Sequence, residues 1–84
     1  MKPGDLVKLK QSTGFATLYQ FTGPASLSAG ASETNPETGR MVAGAVALVL
    51  ALDTCPVIGF TEEALVLCGE VYGWREVECF EVVS

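Results

Sequence analysis

The chain has 84 residues, 49% of them hydrophobic, with a mean hydropathy of +0.37, a net charge of −5 and a pI near 4.4. One domain of this length buries only about 60–65% of the surface its unfolded chain exposes, so a surplus of apolar residues points to association. The acidic balance opposes nucleic-acid binding, which depends on Lys and Arg to neutralise phosphates. With no histidine in the chain, Ser or Cys nucleophiles lack their usual base, and a non-enzymatic protein without a cofactor is expected.

The opening Met1–Asp5 has no apolar run of the secretory-leader kind, so a cytoplasmic or virion-associated location is expected. Leu6 to Lys10 alternates, Val7 and Leu9 one way and Lys8 and Lys10 the other, as a half-buried strand does. The lysines are expected to oppose acidic residues on a neighbouring strand. Phe15, Thr17, Tyr19 and Phe21 share one face of a second strand, read as a cap over the core or as a binding surface.

Thr22 to Arg40 is rich in Gly, Pro, Ala, Ser, Thr and Glu, with Leu27 its single large aliphatic. Such a composition cannot offset its own ordering entropy and predicts a mobile loop, the first target of a protease. Asn35-Pro-Glu-Thr-Gly39 before an apolar run looks superficially like a sortase sorting signal. The run is too short and an acidic stretch follows it, so these residues are read as turn chemistry.

Gly44 to Asp53 organises the chain. Met41 to Leu52 is uncharged but only twelve residues long, where a membrane-spanning helix needs about twenty. Periodicity alone does not separate a buried strand from a buried helix here, but Gly44 and Asp53-Thr54-Cys-Pro56 bound a strand-sized piece. As a strand it turns Val46, Leu48, Leu50 and Leu52 to one face, expected as the core. Ala45, Ala47, Val49 and Ala51 take the other, expected as a homo-oligomer interface. A charge at Ala47 or Ala51 should then break assembly and spare the monomer.

Cys55, Cys68 and Cys79 are odd in number, without C-x-x-C spacing. They read as free thiols, with no metal site. Glu62 to Gly69 is read as another strand, Leu65 and Leu67 alternating against Ala64, Val66 and Cys68 with both faces apolar, and Glu62-Glu63 as acidic surface. Glu70-Val-Tyr-Gly73 is read as a hairpin turn. Glu76 to Cys79 suits one turn of 3₁₀ helix before a last strand, Phe80 to Val83. Tyr72, Trp74 and Arg75 are of the residue types enriched at interface hot spots. With Tyr19 and Phe15 they are the candidate binding residues, against the alternative that Trp74 plugs the core.

Gly4-Asp5-Leu6-Val7, Gly44 to Leu50, Leu65-Val66-Leu67, Gly73-Trp74 and Phe80-Glu81-Val82-Val83 together form a pattern that resembles SH3-like small barrels. In wording it is similar to short proteins of tailed phages, including those infecting marine cyanobacteria. The resemblance implies an all-β, five-stranded SH3-like barrel spanning residues 1–84, with a long first loop at 22–40 and the 3₁₀ turn before the last strand. It implies a structural or adaptor protein that self-associates and docks on a virion or host protein. A regulatory module that binds an extended peptide is the alternative, and a nucleic-acid-associated barrel is disfavoured by charge. No membrane partner is expected.

Overall fold

The structure, a computed structural model, describes residues 1–22, 36–55 and 61–83. Seven strands form one antiparallel sheet: β1 Leu6–Leu9, β2 Phe15–Tyr19, β3 Glu37–Val42, β4 Val46–Cys55, β5 Thr61–Cys68, β6 Val71–Glu76 and β7 Phe80–Val82. They lie in the order β3-β2-β6-β5-β4-β1-β7, and the sheet curls into a half-barrel. There is no α-helix among the described residues. One-turn 3₁₀ segments occupy Gln11–Thr13 and Val77–Cys79, the second in the place expected. Seven strands replace the expected five.

One unforeseen strand is β3. Its residues Glu37 to Arg40 were expected in the loop, yet β2 pairs with them in antiparallel register. Ala16 lies opposite Met41 and Thr17 opposite Arg40, so tertiary pairing overrides the weak local preference of a Glu-Thr-Gly-Arg segment. A bulge at Thr38 shifts the register, and its hydroxyl donates to the Tyr72 carbonyl on β6. The expected mobility of the rest of that loop falls on residues 23–35, outside the described residues.

The concave face holds the core: Val7, Leu9, Ala16, Leu18, Met41, Ala47, Val49, Ala64, Val66 and Phe80. This reverses the expectation for the first half of β4. Ala47 is 2% exposed, and Val49 is buried beside it, while Leu50 is 42% exposed and Val46 also faces out. Ala45 packs against the core from the turn before β4. Ala47 and Val49 are therefore interior residues and Ala45 is half-buried against the core, so they do not form the exposed face that an oligomer interface on this strand requires.

The physical reason is space. Along β4 the curl brings the concave side chains close to those of its neighbours, so the small Ala47 and Val49 fit inside there while Val46 and Leu50 face out. A β-bulge then interrupts β4, because Val49 lies opposite Val66 while Ala51 lies opposite Leu65. The extra residue changes which face the following residues take. Beyond it Leu52 sits opposite the buried Ala64 and packs on the core as expected, and Ala51 is on the convex side.

The tight turn between β5 and β6 is Gly69-Glu70, with Gly69 at φ 61°, a left-handed conformation that glycine adopts without a side-chain penalty. Gly73, expected in that turn, lies instead within β6, buried against β2 and β3. A Cβ there would lie 2.6 Å from Leu18 Cβ and 3.0 Å from the Tyr19 nitrogen. Only glycine lets β6 come this near.

On β1, Val7 and Leu9 are fully buried, and Lys8 faces out to pair with Glu81 of β7 at 3.2 Å. The expected opposition of lysine and acid is present. Both partners are well exposed, so the pair adds at most about 1 kcal/mol and orients rather than holds.

Candidate binding surface

The register of the sheet assembles the convex face row by row. Leu6 of β1 is opposite Leu48 of β4, Leu48 opposite Leu67 of β5, and Leu67 opposite Tyr72 of β6. At about 4.8 Å between strands, this row crosses about 14 Å of sheet. Leu6, Leu67 and Tyr72 are exposed, with Tyr72 at 53%, and Val46 and Leu50 flank Leu48 along β4. The chain thus turns its large aliphatics outward on the strands whose inner face is Val7, Ala47, Val49 and Val66.

One step along the strands is a second row: Ala51, Leu65, Trp74 and Tyr19. Trp74 stands between its cross-strand partners Leu65 and Tyr19, half-buried, while Tyr19 is only 5% exposed. One step further, Glu63 lies between Asp53 and Glu76. Glu63 is 1% exposed, so one member of the Glu62-Glu63 pair read as acidic surface is interior.

Of the five candidate binding residues, Tyr72 and Trp74 share the convex face, two residues apart on β6. Tyr19 joins Trp74 but is largely covered. Phe15 stands apart at the other end of β2, paired with Val42 and 62% exposed. It neither caps the core nor reaches the Tyr72–Trp74 pair. The core instead takes Ala16 and Leu18 from this strand.

Arg75 lies opposite the buried Ala64 and so belongs to the concave side. Its Nη1 donates to the Thr17 carbonyl at 3.3 Å, tying β6 to β2. Its Nε is 3.4 Å from Glu76 Oε2, outside hydrogen-bonding geometry. Burial opposes its charge, but the hydrogen bond with Cys79 and the attraction of Glu76 outweigh that, and its pKa is raised above the ordinary guanidinium value. Arg75 is thereby committed within the fold.

Replacing Trp74 separates anchor from brace. Its half-burial between Leu65 and Tyr19 predicts that Trp74→Ala costs roughly 2 kcal/mol of stability, below the ~3–5 kcal/mol of a fully buried aromatic. A urea titration measures this directly. A midpoint unchanged from wild type would show that the indole braces nothing.

Among the described residues no three Cys, Asp or Glu side chains are grouped to hold a metal ion. No helix among them is long and apolar enough to cross a membrane. No protein-family model, curated protein or solved structure matches the chain.

The sequence signal for the exposed row was present but assigned to the wrong side. Leu48 and Leu50 alternate as expected, and only the curl of the sheet decides which alternate set is inside.

Proposed function

We propose that the chain is a non-enzymatic structural or adaptor protein, SH3-like and phage-related, that docks on another protein through its convex face. The observation that carries this reading is the apolar row Leu6, Leu48, Leu67 and Tyr72, flanked by Val46 and Leu50. Large aliphatics outside, over alanine and valine inside, are a costly arrangement for a sheet meant to face water alone. Tyr72 supplies an aromatic anchor of the type that concentrates binding energy.

The test uses a double variant, Leu67→Glu with Tyr72→Ser. It should keep the wild-type circular dichroism and lose a partner that the wild type captures. That partner, purified, should bind the wild type at least about tenfold more tightly, as the loss of an anchor implies. Equal binding of both proteins overturns the assignment of this face.

A further inference from the structure

The two outermost strands carry a complementarity that the convex face does not use. Each of the six neighbouring pairs in the sheet is antiparallel, so its first and last strands, β3 and β7, run in the same direction. Each has one edge that pairs with no strand among the described residues.

Their backbone groups can be assigned individually. On β7, Val83 N–H donates to Leu6 and Lys10 N–H to the Cys79 carbonyl, so alternate residues 79, 81 and 83 face β1. Phe80 and Val82 therefore face the free edge. Phe80 N–H is already used, donating to Val77. On β3, Ala43 N–H donates to Gly14, so residues 39, 41 and 43 face β2, and Arg40 and Val42 face the free edge. The Val42 carbonyl is already used, accepting from Ala45 N–H at 3.0 Å.

The groups left over are Phe80 C=O and Val82 N–H and C=O on one edge, with Arg40 N–H and C=O and Val42 N–H on the other. Three donors face three acceptors. A parallel ladder with Glu81 opposite Arg40 pairs all of them. Val82 N–H donates to Arg40, Val42 N–H donates to Val82, and Arg40 N–H donates to Phe80. The two groups already used are the ones this register leaves out.

The side chains agree. Glu81 and Arg40 both face the convex side, at the ends of the ion pairs with Lys8 and Glu37. Val83 falls beside Val42, both exposed, and the half-exposed Val82 falls beside Met41 on the concave side. Opposite charges directly across a ladder are favourable and like charges are not.

We propose that β7 of one copy adds in parallel to β3 of a second copy, joining their sheets head to tail through Glu81 and Arg40. Within one chain the same two strands are the opposite ends of the seven-strand sheet, so the second copy is the occupant of each edge. A head-to-tail contact closes into a ring or runs on as a filament. It is independent of the convex face and of the partner proposed for it.

Two charge reversals test it in the full chain, by light scattering coupled to size exclusion over a range of concentrations. Wild type should run above the monomer mass. Arg40→Glu sets like charges across the join, as does Glu81→Lys, and each should weaken association roughly tenfold, on the scale of cross-strand charge pairs. Mixing the two variants makes every join complementary again and should restore assembly. Val82→Pro should also abolish it, because that N–H points away from β1 and its loss spares the internal ladder.

A wild type that stays monomeric overturns the proposal. So does assembly that survives both reversals, or a mixture that fails to recover while each variant keeps its circular dichroism. If the reversals change only the melting temperature of a monomer, and the variant carrying both regains it, the two strands pair within one chain and the second copy is excluded. Leu67→Glu should leave this assembly intact, which keeps the edge contact separate from the docking face.

Discussion

Ala47→Glu is expected to unfold the chain, whereas Val46→Glu, one residue earlier, leaves it folded. Ala47 sits inside the half-barrel with Val7 opposite it on β1 and Val49 two residues along, and an ionised carboxylate there has neither room nor a cation. An uncompensated buried charge costs on the order of 4 kcal/mol or more, a large share of the ~5–15 kcal/mol that holds a typical domain. Val46 faces out and lies opposite Lys8, so a carboxylate there gains a cross-strand cation and stability stays within about 1 kcal/mol. Thermal unfolding of the two variants checks this. If Ala47→Glu melts like wild type, the assignment of faces on β4 is wrong.

The second large effect is at Gly73, where the constraint is distance rather than charge. Even one methyl group collides with Leu18 and with the backbone at Tyr19, which are strand residues and not flexible tips. Gly73→Ala should therefore cost about 1–3 kcal/mol, the range for overpacking a filled core. For a domain of this size that corresponds to a fall in melting temperature of roughly 5–20 °C. Gly73→Val should lose more. An unchanged melting temperature for Gly73→Ala would show that β6 can move off β2 without penalty.

Much of the fold was legible because strands advertise themselves locally. Alternation in Val7-Lys8-Leu9 placed the correct residues inside, the strand through Ala64 to Cys68 was readable though both its faces are apolar, and the short turn before Phe80 was readable from Glu76 to Cys79. Two kinds of information were not local. Strand β3 exists because β2 offers it a ladder and a buried seat for Met41, which Glu37 to Arg40 do not reveal by themselves. The facing of β4 depends on the curl of the whole sheet, since both of its alternate sets are apolar and either could be interior.

The candidate surface was legible in part. Tyr72 and Trp74 were singled out by residue type, and they share a face. Arg75 and Tyr19 have the same composition signal but are occupied, one by Thr17, Glu76 and Cys79 and the other by burial. Residue type cannot distinguish an anchor awaiting a partner from one already engaged. Leu6, Leu48 and Leu67 escaped notice because aliphatics are ordinarily assigned to a core.

The bulge at Leu50 and Ala51 makes β4 two strands spliced out of phase. Upstream, the odd-numbered Ala47 and Val49 are interior; downstream, it is the even-numbered Leu52 that packs on the core. Removing the single extra residue at the splice would restore plain alternation, with Val49 and Leu52 still on the inner face, whereas removing one residue anywhere else along the strand would force part of it to expose its interior set. Any change in length along this strand therefore has to come in pairs or fall at the splice itself, which makes two adjacent, unremarkable apolar residues the point where the inside and outside of the molecule are decided.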